Sequence, residues 1–278
     1  MGRAYALEDG ESTGVALAIQ EHYFPKRAGS ELPTSALGAV VGLADRLDTL
    51  SGCFGIGQIP TGTADPFGLR RISLAIIHIV EHFGWALSLK DVVHKSLSLY
   101  GDKVNGSAET VEQVVTFIRG RFVNDQLAAD VDGEAVEAVT TVGFDDVNDV
   151  LKKIRALSAI RGEESFTVLA ASFKRIRNII KDNTTTDVDE ALLKEEAEME
   201  LAAVFTRLNS EVQPMLDANE YDKALSAMLA LKAPVDEFFN EVMVMDKDEA
   251  IRRNRLNLLT AISVLFLKVG DISKMQQK

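Results

Sequence analysis

Eight basic residues fall between Lys152 and Lys181: Lys152, Lys153, Arg155, Arg161, Lys174, Arg175, Arg177 and Lys181. Only Glu163 and Glu164 oppose them, so this window of 30 residues carries +6. The whole chain of 278 residues carries −12, which leaves −18 on the rest. Spacing matters more than the count. At helical periodicity Lys174, Arg177, Asn178 and Lys181 share one face, opposite Phe166, Phe173 and Ile176. Arginine and asparagine hydrogen-bond both phosphates and base edges, so the face suits a polyanion. A second cluster, Arg252-Arg253-Asn254-Arg255, opens another helical stretch, with Arg252 and Arg255 one turn apart. The competing reading of either cluster is an ordinary solvated face. A helical scaffold that binds only protein is the alternative for the whole chain.

Other constellations invite enzyme chemistry. His78-Ile79-Val80-Glu81-His82 matches the inverted zinc-hydrolase pattern H-x-x-E-H, with His78 and His82 one helical turn apart. The match is short, needs a further ligand from elsewhere, and sits in a helix already supplied with packing residues. A zinc-dependent hydrolase using His78, Glu81 and His82 is therefore the rival enzyme reading. Gly57 and Gly62 have phosphate-loop spacing, but Thr63 and Ala64 stand where Lys and Ser or Thr are required. Asp45 and Asp48 lie one turn apart with no His-Asp pair nearby in sequence, which favours capping or pairing with Arg46. Cys53, the single cysteine, has no visible base and excludes an intramolecular disulfide.

These residues need helices to position them. From 163 to 269 there is no glycine, as a helical bundle would select, because glycine costs about 1 kcal/mol in a helix interior. Phe166, Leu169, Phe173, Ile176 and Ile180 step by 3 and 4. Leu193, Ala197, Leu201, Val204, Leu208 and Val212 form a second stripe. Further helices are expected over 218–231, 234–245 and 248–269, with Pro214 and Pro234 as breaks. In the first half the spacing predicts helices over 12–23, 34–51, 66–83, 89–99, 107–122, 133–142 and 145–160, and a loop from Gly52 to Asp65. No convincing strand alternation is present, so the predicted fold class is all-α. The composition, 46% hydrophobic and 26% charged, is that of a globular protein rather than a disordered one. Net acidity taken alone disfavours nucleic acid and favours solubility. The apolar runs are about half a membrane span, no secretory leader is evident, and Ala6 breaks a myristoylation signal. A cytoplasmic location without membrane association is expected.

The order of several motifs adds a resemblance. Met1-Gly2-Arg3-Ala4-Tyr5-Ala6, the block from Ala44-Asp45-Arg46-Leu47-Asp48 through Asp65-Pro66-Phe67-Gly68-Leu69-Arg70-Arg71, Phe173-Lys174-Arg175-Ile176, Phe238-Phe239-Asn240-Glu241 and Arg255-Leu256-Asn257-Leu258-Leu259 together resemble the C-terminal portion of the bacterial glycyl-tRNA synthetase β subunit. The last three motifs are similar to the DALR-type anticodon-binding domain shared with arginyl-tRNA synthetase. Gly68, Ala64 and Arg177 depart from the usual family residues. The resemblance implies three parts: an HD-like helical remnant over 1–100, a helical connector over 101–162, and an anticodon-binding bundle over 163–278. Asp45 resembles the HD fold's last metal-ligand aspartate, but its partner motifs are missing, so no metal site is expected. The implied function is tRNA binding in support of glycyl-tRNA formation. The α subunit of an α2β2-type assembly would hold the active site and use ATP and Mg, with no cofactor and no complete catalytic site in this chain. Lys174, Arg175, Arg177, Asn178, Lys181, Arg252, Arg253 and Arg255 are the expected contacts to glycine tRNA.

Overall fold

A computed structural model describes residues 1–27 and 29–275. Thirteen α-helices carry the chain among these residues, and the only pairing of extended backbone is an isolated bridge between Thr61 and Ala64. The fold is all-α. The chain forms two compact units: Met1–Asp130 with Phe144–Val150, and Val131–Gly143 with Leu151–Lys278. Neither end of the expected 101–162 connector coincides with an edge of these units.

The first unit contains α1 (Gly2–Glu8), α2 (Thr13–Glu21), α3 (Ala36–Gly55), α4 (Leu69–Phe83), α5 (Leu89–Leu99) and α6 (Ala108–Ala128). Helix α3 packs against α2, α4, α5 and α6. It buries Leu43, Leu47, Leu50 and Phe54, while α4 contributes Ile76, Ile77, Ile79 and Val80. Each buried side chain of this size contributes roughly 1.5–3 kcal/mol of transfer free energy. The helix expected to end at Ser51 instead continues through Gly52 to Gly55. Those glycines are surfaces for close approach. A Cβ on Gly52 would lie 2.5 Å from the Tyr100 hydroxyl, and one on Gly55 would lie 2.7 Å from Val104. The Tyr100 hydroxyl donates to the Asp48 carbonyl at 3.0 Å, and the Asn105 N–H donates to the Gly55 carbonyl at 2.8 Å.

Polar groups fix the segment between α2 and α3. The buried Glu21 carboxylate accepts from the backbone N–H and hydroxyl of both Thr34 and Ser35. Burial would raise its pKa, but these donors outweigh burial and lower it to about 2. Arg46, also buried, donates to the carbonyls of His22, Gly42, Phe24 and Pro25.

The second unit holds α7 (Gly133–Thr140), most of α8 (Val147–Ile160), α9 (Glu164–Ile180), α10 (Glu196–Asp217), α11 (Tyr221–Met228), α12 (Lys232–Glu241) and α13 (Glu249–Leu267). Helix α9 packs against α12 and α13, and α10 packs against α11, α12 and α13. The prolines expected as breaks lie inside helices. Pro214 sits in the last turn of α10, where the Ser210 carbonyl that loses its donor belongs to an exposed residue. Pro234 falls in the first turn of α12, where an N–H would lack a helical partner anyway.

Candidate nucleic-acid interface

Helix α9 is two-faced in the way its spacing requires. Phe166, Leu169, Ala170, Phe173, Ile176 and Ile180 are buried, whereas Lys174, Arg175, Arg177, Asn178 and Lys181 are all exposed. Arg175 lies over the ring of Phe239 on α12, 4.1 Å from its centroid. The aromatic face attracts the cation and limits its motion, so the guanidinium is held at the surface. Among the described residues, Arg175, Arg177 and Lys181 have no carboxylate partner. The helix ends at Lys181, whose φ of 44° turns the chain away.

The second basic cluster is built differently. Arg255, expected among the contacts, is 2% exposed, so its side chain is turned into the protein and not presented at the surface. Its Nε and Nη2 donate to Glu198 at 2.7 and 3.1 Å, and its Nη1 donates to the Met243 carbonyl at 2.9 Å and to Asp246 at 3.2 Å. Glu198 also accepts the backbone N–H groups of Lys194 and Glu195 at the start of α10. Burial pushes the Glu198 carboxyl up, but Arg255 and those N–H groups hold it below its usual range. The same hydrogen bonds raise Arg255 above its own. Arg252 is half-buried and donates to the Asp246 carbonyl at 2.8 Å. Arg253 is exposed and pairs with Glu249 at 3.0 Å. On the α9 face Arg175, Arg177 and Lys181 thus have no carboxylate partner among the described residues, while the start of α13 spends most of its own charge on structure.

Asn254 is structural as well. It exchanges hydrogen bonds with the Asp189 backbone at 2.8 and 2.9 Å. Asn257 donates to the Asp187 carbonyl at 2.7 Å, and Asn183 donates to the Thr260 hydroxyl at 2.7 Å. These bonds fasten the segment after α9 onto α13. Arg161, part of the basic window, bonds Asp132 at 2.5 Å and Glu134 at 2.6 Å. Phe239 was not a candidate from spacing. Only its place beside the resembling Phe238-Phe239 motif hinted at a role, because its contact with Arg175 is long-range.

The enzyme-like motifs are occupied otherwise. His78 Nε2 lies 2.9 Å from Asp125. No group of three or more His, Cys, Asp or Glu among the described residues is placed to hold a metal. Nothing supports the zinc-hydrolase reading. Asp45 and Asp48 face outward from α3 and flank the buried Arg46. Cys53 lies on α3, where burial and then Asp65 push its thiol up, the opposite of an activated nucleophile. Gly57 and Gly62 take φ values of +77° and +46° in the turn between α3 and α4.

The sequence matches known families and proteins. The family model described as "Glycyl-tRNA synthetase beta subunit" covers residues 1–141, just over half of the chain. The chain belongs to the glycyl-tRNA synthetase β-subunit family. A second model, the DALR anticodon binding domain, covers residues 169–272 and so contains the exposed part of α9 from Lys174 onward. Glycine–tRNA ligase β subunits of Citrifermentans bemidjiense and Trichlorobacter lovleyi are 47% and 46% identical over 99% of this chain. That of Syntrophotalea carbinolica is 43% identical over 99%. The chain spans 40% of the length of each of these relatives of the β-subunit family. No helix among the described residues is long and apolar enough to cross a membrane.

Proposed function

We propose that this chain is the tRNA-binding, anticodon-recognising portion of a glycine–tRNA ligase β subunit. In this reading it supports ATP-dependent glycyl-tRNA formation in the cytoplasm, while a partner α subunit carries the site for glycine, ATP and Mg. The observation that carries the reading is the solvent-exposed basic face of α9 inside the region matched to an anticodon-binding domain. Anticodon loops present unstacked bases and closely spaced phosphates, which suit arginine, lysine and asparagine side chains on one helix. Lys174, Arg177 and Lys181 supply charge to phosphates. Arg175, held over Phe239, offers a planar cation for stacking or a phosphate, and Asn178 offers an amide to a base edge. Arg252, half-buried, and Arg253, exposed, are secondary contacts in this reading, and Arg255 acts through folding.

The test is equilibrium binding of glycine tRNA to the 278-residue chain and to Lys174→Glu/Arg177→Glu. The double variant is expected to weaken binding at least tenfold with an unchanged unfolding midpoint. Unchanged affinity overturns the assignment of this face. Failure of the wild-type chain to retain tRNA while it captures the α subunit favours the protein-scaffold reading.

A further inference from the structure

The first unit carries a second concentration of positive charge, apart from α9, to which the sequence motifs containing Arg3, Arg46 and Arg71 assigned no binding role. A cavity of about 350 Å³ is lined by Tyr23, Lys26, Arg46 and Arg71 among others. A neighbouring cavity of about 600 Å³ shares Tyr23 and Lys26 with it and adds Arg3. Among the described residues no acid lines either cavity, in a chain with 42 acidic residues against 30 basic ones. Both volumes fall in the range of ordinary ligand pockets.

Three of the four cations are held there by neutral groups. Arg46, 7% exposed, donates to four backbone carbonyls and to no carboxylate among the described residues. Burial lowers its pKa, and Asp45, on the exposed side of α3, works against that. A buried guanidinium without a paired anion is costly, and a bound anion offsets that cost. Lys26 sits over the ring of Phe24, 5.2 Å from its centroid. Arg3 is oriented by Gln20 at 2.9 Å. Arg71 is exposed, and neither it nor Lys26 has a carboxylate partner among the described residues. Tyr23, 62% exposed, lines both cavities, with its ring centroid 3.8 Å from that of His22.

We infer that this groove is a phosphate-binding site, with Lys26 and Arg71 as the direct ligands over the charge of Arg46. A phosphate group suits it because several convergent cations match an anion with several acceptor oxygens. The exposed tyrosine beside them suits the base or ribose attached to that phosphate. The phosphate has two possible sources: the backbone of a tRNA whose anticodon loop lies on α9, or a free phosphate compound. The first source rests on the tRNA reading above, and the second does not.

The experiment uses the whole 278-residue chain as wild type, Lys26→Glu/Arg71→Glu, Lys26→Arg/Arg71→Lys and Lys174→Glu/Arg177→Glu. Lys95→Glu/Lys103→Glu is a control that makes the same charge change on exposed residues of the same unit away from the groove. Glycine tRNA affinity is measured across a salt series, and the thermal midpoint is measured with increasing inorganic phosphate. The expected result is a tenfold or greater loss of tRNA affinity in Lys26→Glu/Arg71→Glu relative to the control. Its log–log salt slope should be shallower by about 1 to 2, one step for each phosphate contact removed. The charge-conserving pair should bind like wild type. If tRNA affinity matches the control, but phosphate stabilises wild type and not the glutamate pair, the site stands with a free phosphate as its ligand. If neither readout separates the glutamate pair from the control, the groove proposal is overturned, and loss of tRNA in Lys174→Glu/Arg177→Glu then leaves the α9 reading intact. Loss at the groove with full binding in Lys174→Glu/Arg177→Glu does the reverse.

Discussion

Replacing Arg255 by alanine leaves the Glu198 carboxylate, which is fully buried, without its cation. Breaking one partner of such a pair costs about 3–5 kcal/mol, because the charge left behind stays desolvated. Urea unfolding of Arg255→Ala should show that loss, whereas Arg253→Ala, which removes an exposed one-turn pair, should change stability by under about 0.5 kcal/mol. The contrast separates two arginines that spacing grouped together. A second residue-scale expectation concerns acid. The Glu21 carboxyl is lowered from 4.5 to about 2, and Glu198 is also lowered. Below pH 4.5 the unfolded chain takes up protons at these positions before the folded one does. Their stabilisation is therefore full above that pH and is lost as pH falls toward 2. Glu21→Gln should lower stability at pH 7 by about 1–3 kcal/mol and flatten its decline in acid, read from urea midpoints at a series of pH values.

At the scale of elements, α4 shows how a helix start can be capped from outside its own first residues. Gly68 precedes it with φ of +67° and has no side chain to cap with. Asp65 does so instead, accepting the N–H groups of Leu69 at 2.8 Å and Arg70 at 3.0 Å. Asp65→Ala is expected to cost about 1 kcal/mol and to lower the thermal midpoint accordingly. Most helices were legible because their apolar spacing is strong. The α9 stripe from Phe166 to Ile180 is buried as its period requires. Most of the misreadings have a physical cause in long-range contact, and that of Pro214 a local one. Gly52 and Gly55 look like loop residues until Tyr100 and Val104 are seen to need the space. Pro214 looks like a break until its helix is seen to end one turn later. The α9 face was likewise visible as an exposed basic stripe, but burial of Arg255 was not. Arg255 has the same local sequence character as Arg253, and only Glu198, 57 positions away, tells them apart.

For the whole molecule, the net charge of −12 and the proposed polyanion partner pull in opposite directions. Salt dependence decides which governs binding. If the summed charge governed, added salt would screen repulsion between an acidic protein and RNA, and affinity would rise. If local cations govern, added salt opposes binding through the counterions that each phosphate releases on contact. The geometry favours the second case. Arg175, Arg177 and Lys181 are exposed without carboxylate partners among the described residues, and the Debye length at physiological salt is only about 8 Å, so distant acids are largely screened at that face. With about four phosphates neutralised, log affinity for glycine tRNA should fall against log salt with a slope near −3. The slope should become shallower in Lys174→Glu/Arg177→Glu by about 1 to 2. A flat or rising dependence in the wild-type chain contradicts phosphate contact by α9, whatever the absolute affinity. A steep fall that survives both that substitution and Lys26→Glu/Arg71→Glu places the contacts on neither surface.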